Sequence, residues 1–411
     1  MPFPLFAALA VELQQNVMQQ CERPELLKIA LCSRDMNRLA ISIIYRHVDL
    51  SYHNDEGLFS AIPYEKMVRG DNPDRRVGVL KETMFHAQEL FIDTIIQHPS
   101  FGAYVSSLVW TYLWVIDELD INPQRLWKAF QSLTNVKTID ICSMDLEEQY
   151  VVPPPLFPSA TKIRVGDRIP YALFRAILAF PAQLTSLEID NVHGLGQVSD
   201  GMKLYYSDTL YEAQETEDDD LVPVTRHDGP MKGHLNLLVG KCTKLRYLCI
   251  KTVGQDNYPD TRWCEKREQE RYEEVARFID SVKLTLESLN LEYGTEPDQP
   301  FRMPCRGLLH AVPHVGRPMD RRFFQYILPA LCRGKWPALK VIAILGIGGT
   351  PTKYALRNRY TPEDRSVFDN AEEKLRVAFG NNITLIWQRE NASSFYLLEH
   401  RGLAYITTTS L

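Results

Sequence analysis

A short hydrophobic pattern, apolar-x-x-apolar-x-apolar, recurs along the chain. Its copies are Val105, Leu108, Trp110; Val136, Ile139, Ile141; Ala160, Ile163, Val165; Leu184, Leu187, Ile189; Leu245, Leu248, Ile250; Leu286, Leu289, Leu291; and Leu339, Ile342, Ile344. A weak eighth copy begins at Asn382, with Leu385 and Trp387. The last two apolar residues of each copy are two apart, the period of a strand with one buried face. Positions four and six then point to the core, and positions three, five and seven lie on the opposite face.

Between the copies, apolar residues take helical spacing. Asn122 is a cap and Pro123 a first helical residue, with Leu126, Phe130 and Leu133 on one face. Pro170 opens a second helix with Leu173, Phe174, Ile177 and Leu178. The stripe Tyr272, Val275, Ile279 and Val282 predicts a longer helix over 266–283, and two more are expected near 321–333 and 364–379. Strands alternating with helices imply an α/β fold of parallel strands joined by right-handed helical crossovers. Segments 51–78 and 294–318, rich in Pro, Gly and charge, read as loops, and 195–232 reads as a surface insertion.

The first fifty residues hold three short apolar helices. So small a unit buries too little surface to be stable alone, and must lean on the rest of the chain or on a partner.

Composition narrows the class. The chain has 411 residues, 45% hydrophobic and 24% charged, which is globular material. No run of eighteen apolar residues is present, so no membrane span is expected. Residues Phe3 to Val11 lack the preceding bases of a secretory leader. Eight cysteines without a C-x-x-C pair read as reduced thiols of an intracellular protein. The net charge of −6 resides in residues 212–220; the remaining acids equal the bases in number. No nucleic-acid footprint is indicated, and the acidic run reads as a solvated loop.

The amino-terminal residues resemble an F-box of the fungal leucine-rich-repeat type. The resemblance rests on Leu9 and Leu13, then Leu26-Leu27, Ile29-Ala30 and Cys32-Ser33-Arg34, then Leu39-Ala40, with Ile44 to Leu50 as the join to the first repeat. Gln97-His98-Pro99 before Tyr104-Val105 is also similar to this group. Ala10 stands where the family usually has proline. The repeats lack the Asn that closes a standard leucine-rich turn, having instead Leu113, Met144, Arg168, Val192, Val253, Gly294 and Ile347. The resemblance implies a three-helix F-box at 5–50, a helical or loop connector at 51–104, and an irregular leucine-rich-repeat-like solenoid at 105–411.

It further implies that the F-box binds a Skp-type adaptor, and through it a cullin–RING ubiquitin ligase, while the repeats recruit a protein substrate. The adaptor contacts expected on this basis are Leu9, Leu13, Val17, Leu26, Leu27, Cys32 and Leu39; the alternative is that they form an internal core. Cytoplasmic or nuclear residence, with no cofactor, no membrane and no nucleic acid, completes the expectation.

The strand pattern supplies a second surface. Its outward positions include Thr138, Asp140 and Cys142; Lys162, Arg164 and Gly166; Ser186, Glu188 and Asp190; Tyr247, Cys249 and Lys251; and Ser288, Asn290 and Glu292. Asp140, Arg164, Glu188, Asp190, Tyr247, Lys251, Asn290 and Glu292 are the candidate substrate contacts, against the plainer reading of a solvated face. Val341, Ala343 and Leu345 are apolar on the same side. Either the stretch Phe395 to Ile406 covers them, which is the favoured reading, or they form a docking patch.

Motifs for chemistry are absent. There is no G-x-S-x-G elbow and no P-loop, and after Gly346 and Gly348 a proline, Pro351, replaces the third glycine of a dinucleotide fingerprint. His310 and His314 are four apart, but Pro313 argues against a helix there, and no third metal ligand is near. The expectation is a non-catalytic substrate receptor of a ubiquitin ligase. A scaffold without ubiquitin transfer is the alternative, and an enzyme on a repeat fold a more distant one.

Overall fold

The structure, a computed structural model, describes Phe6, Val192 and residues 8–51, 73–112, 122–143, 152–167, 169–190, 231–252, 265–293, 322–347, 362–380 and 382–388. The fold is α/β, with a nine-stranded parallel sheet whose spatial order is the order of the chain. The chain forms two compact units, residues 1–141 with 153–161, and residues 142–152 with 162–411.

The first unit opens with α1 (Val11–Met18), α2 (Arg23–Ala30) and α3 (Arg34–Ile44). Local chemistry explains their starts. Glu22 and Glu25 form a reciprocal capping box around α2, the Glu22 N–H donating to Glu25 Oε2 at 2.9 Å. The Ser33 hydroxyl accepts the Met36 N–H at the start of α3. Met18, Leu26, Ala30 and Ala40 form a small core, with Phe6, Cys21, Ile29, Met36, Leu39, Ile43 and Ile44 packed on it.

After α3 the chain passes through Tyr45 and Arg46 into β1 (His47–Leu50), which pairs in parallel with β2 (Ser107–Tyr112). Tyr45 packs on Phe91 and Phe101, at 6.4 and 5.4 Å between ring centres. The Arg46 carbonyl accepts three hydrogen bonds, from the Ser106 and Ser107 N–H groups and the Ser106 hydroxyl. Helix and strand thus join without a glycine or proline break.

Of the stretch 51–78 expected to be loop, residues 73–78 are helical and 52–72 lie outside the described residues. Helix α4 (Pro73–Gln97) already begins at Pro73, because proline suits a first turn and the stripe Met84, Gln88, Phe91, Ile92 and Ile95 that follows is buried. Gln88 donates to the carbonyls of Leu50 and Thr111, tying the helix to β1 and β2. A one-turn helix, α5 (Pro99–Gly102), leads to β2; a Cβ at Gly102 would lie 2.5 Å from the Ser132 carbonyl oxygen, so this approach requires glycine. Next comes α6 (Pro123–Gln131), capped by Asn122 as the sequence predicts. Its Leu126 and Phe130, with the following Leu133, are buried. Strand β3 (Thr138–Ser143) follows.

The second unit comprises β4 (Lys162–Asp167), α7 (Tyr171–Ile177), β5 (Ser186–Asp190), β6 (Tyr247–Thr252), α8 (Glu265–Val282), β7 (Ser288–Tyr293), a π-helical turn (Phe323–Ile327) running into α9 (Leu328–Cys332), β8 (Val341–Leu345), α10 (Pro362–Phe379) and β9 (Thr384–Gln388). Strands β4 to β9 pair in parallel and in register. Each of the eight pattern copies starts its strand at its third residue. The first, fourth and sixth positions of the seven strong copies are all buried, none more than 5% exposed. That repeated burial holds the strands in phase: a one-residue slip would turn Leu187 and Ile189, for example, to the opposite face.

The segment returning into β6 is held by Glu274 of α8. Its carboxylate accepts from the N–H groups of Gly233, Leu235 and Asn236 at 2.6, 2.5 and 3.1 Å. Gly233 has φ 81°, a left-handed conformation that glycine adopts without strain.

Candidate functional site

Two surfaces stand out, one in each unit. On the bundle, Leu9, Val11, Leu13 and Val17 are 38–54% exposed, and Leu27 of the second helix and Leu31, the residue that caps its end, are 53% and 87% exposed. Leu13 and Val17 are four apart, as are Leu27 and Leu31, so each pair shares a helix face. Of the seven residues expected at an adaptor interface, Leu9, Leu13, Val17, Leu27 and Cys32 are exposed. Leu26 is not available: at 4% exposed it is part of the bundle core, and Leu39 packs against that core. Val11 and Leu31 were not singled out from the sequence. The four-residue step from Leu27 to Leu31 was the signal that marks Leu31.

The magnitude matters. Half-burial of six such side chains is worth roughly 5–9 kcal/mol by area, while association costs about 4–15 kcal/mol. Burial of these residues alone is thus of the same order as the cost of association.

The second surface is the outward face of β4–β9. Register places its side chains in rows running across the strands: Lys162, Ser186, Tyr247, Ser288, Val341; then Arg164, Glu188, Cys249, Asn290, Ala343, Ile386; then Gly166, Asp190, Lys251, Glu292, Leu345. The candidate residues of the second unit therefore do converge. Arg164 bridges Glu188 (3.4 Å) and Asp190; Lys251 bridges the same two carboxylates at 2.8 and 3.5 Å. All four are only 15–26% exposed, so each cation is held by two partly dehydrated acids. Burial works against the Lys251 ammonium, but Asp190 and Glu188 outweigh it and its pKa is raised. Burial raises the Glu292 pKa; Lys251 opposes this and Asp190 and Glu188 add to it. Asn290 donates to Cys249 Sγ at 3.4 Å, and its carbonyl oxygen is buried without a hydrogen-bond partner.

Three positions expected to face outward are covered. Cys142 and Cys249 are 3% and 1% exposed, and burial pushes the Cys249 thiol up to about 12. Cys249 lies between Tyr247 and Lys251 on its own strand, and its sulfur is in contact with Asn290 of the next. Gly166 is buried because its strand approaches Asp190 closely: an added Cβ would meet the Asp190 carbonyl oxygen at 2.9 Å. Asp140 is half-buried on β3. Val341, Ala343 and Leu345 are half-buried and Ile386 is 39% exposed; residues 395–406, the expected cover, lie outside the described residues, as do His310, His314 and the acidic run.

The buried titratable groups have structural partners. His234 is 1% exposed, with its ring edge-on to Tyr171 and Phe174 and Nδ1 3.2 Å from the Lys232 carbonyl; burial lowers its pKa to about 4. Burial raises the Glu274 pKa against the pull of its three N–H donors. Among the described residues no group of three His, Cys, Asp or Glu side chains is placed to hold a metal ion, and no helix is long and apolar enough to cross a membrane.

No protein-family model matches the chain, and no curated protein is similar enough to be a relative.

Proposed function

We propose that the chain is the substrate-recognition subunit of a Skp–cullin–F-box ubiquitin ligase. In this reading α1–α3 are the F-box and dock on a Skp-type adaptor, and the strand-and-helix array is a degenerate leucine-rich-repeat domain that recruits a protein target. The observation carrying it is the distribution of apolar residues on the bundle. Leu13, Val17, Leu27 and Leu31 lie outside while Met18, Leu26, Ala30 and Ala40 form the core, as a helix-in-groove contact requires. The pinned junction at Tyr45 and Arg46 supports the same reading, since a fixed bundle holds a docked adaptor in one orientation.

The test is co-purification of the full chain with a Skp-type adaptor, wild type against Leu13→Asp/Leu27→Asp. Both residues are about half exposed, so the charges stay hydrated in the free chain and meet an apolar surface only on docking. The reading predicts loss of capture with an unchanged thermal midpoint; retained capture contradicts it. Deleting residues 1–50 is a poorer test because it removes β1, the partner of β2.

A further inference from the structure

We infer that the outward face of β7–β9 is a docking surface for a peptide segment carrying a lysine or arginine next to apolar residues. The inference deepens the proposed function, on which it rests for its purpose, by giving the chemical class of the target.

Charge accounting comes first. Towards the carboxyl ends of β4–β7 the face carries three carboxylates, Glu188, Asp190 and Glu292, against two cations, Arg164 and Lys251; the third cation, Lys162, stands at the opposite end of β4. Arg164 and Lys251 are both committed to Glu188 and Asp190. Glu292 makes no ion pair or hydrogen bond with any described residue. It is a partly buried carboxylate in excess, and a partner's ammonium or guanidinium would give it the counter-charge that this face lacks. A phosphate or an acidic peptide would be repelled by the same excess.

The neighbouring strands supply the rest. Across β7–β8, Glu292 is in register with Leu345 and Asn290 with Ala343; across β8–β9, Ala343 is in register with Ile386. The face thus changes from carboxylate to aliphatic within one strand spacing, about 4.8 Å, and reaches Ile386 within about 12 Å. An extended peptide crossing the strands spaces alternate side chains by roughly 6.6–7 Å, so a cation and an aliphatic side chain two or four residues apart, which share one face of the peptide, fit this gradient.

The experiment uses the full chain and an array of decapeptides with randomised apolar positions around a central Arg, Lys, citrulline or Glu. Citrulline keeps the shape of arginine without its charge. The expected result is at least tenfold stronger binding of Arg and Lys peptides than of citrulline or Glu peptides. Glu292→Gln should abolish that preference; it leaves no ion pair broken, and an unchanged thermal midpoint certifies its fold. Ile386→Ser should weaken all peptides alike and keep the preference. Equal binding of Arg and citrulline peptides, an undiminished preference in Glu292→Gln, or no binding at all would overturn the inference. So would binding seen only after removal of residues 389–411, which would assign the face to the chain's own carboxyl-terminal segment. Adaptor capture is read separately: intact capture without cation preference sinks this inference alone, and the reverse sinks the ligase reading alone.

Discussion

In the bundle of α1–α3, a core of Met18, Leu26, Ala30 and Ala40 sits under Leu9, Val11, Leu13, Val17, Leu27 and Leu31, which stay 38–87% exposed. In the second unit the proportions reverse: Leu187, Ile189, Leu248, Ile250, Leu289, Leu291, Ile342 and Ile344 are at most 3% exposed, and what faces outward across β4–β7 is largely polar. The same kind of side chain, placed inside by register in one region and left outside at helical spacing in the other, separates a part that completes its own burial from a part that does not. Exposed aliphatic residues grouped on short helices are a cost in water unless another surface covers them.

The sharpest way to break this contrast is to charge the self-sufficient region. Leu289→Asp puts an unpaired carboxylate at the centre of β7, fully buried, at a cost of about 3–5 kcal/mol or more. Calorimetry should show loss of the second unit's transition. The bundle lies in the other unit, so adaptor capture should persist. In the bundle, Leu26→Ala should cost roughly 2–4 kcal/mol by opening its core, and helical circular dichroism and capture should fall together. The proposed Leu13→Asp/Leu27→Asp variant is its counterpart, with capture lost and the melting curve intact.

A pH titration comes next in size. Burial lowers the His234 pKa from 6.5 to about 4, so the folded chain favours the neutral ring. Its contribution is complete above about pH 6.5 and is lost as pH falls from there towards 4, about 3 kcal/mol in all. Denaturant titrations should show a steeper stability loss over that window in the wild type than in His234→Phe. Equal slopes would count against the burial argument. The smallest effect is expected at Lys340→Gln. Its pair with Glu287 is 2.5 Å long, but the Lys340 side chain is 72% exposed, and such pairs contribute little in water; the thermal midpoint should not move measurably.

Much of the fold could be read from the chain because its signals were local. The pattern at Leu184, Leu187 and Ile189 fixes both a strand and its buried face, and Asn122-Pro123 fixes a helix start. The helix from Pro73 was missed because Gly78 and the charges of 71–76 mask a stripe that shows only from Met84 onward. Alternation put Cys249 in the outward row but could not reveal that Cys142 and Cys249 are covered. Likewise Leu26 and Leu27 are equivalent in a sequence pattern. Only the crossing of α2 with α3 sends one inward and leaves the other in water. The pairing of Arg164 and Lys251 with the same two carboxylates needed the strand register, and with it came the excess of Glu292.

Hydrogen exchange on the full chain, with and without a Skp-type adaptor, tests the central claim most directly. Amides from Leu9 to Leu31 should exchange more slowly in the complex, while those of β5 to β8 keep their rates. Unchanged exchange across Leu9 to Leu31, with the adaptor present at saturating concentration, would contradict the account.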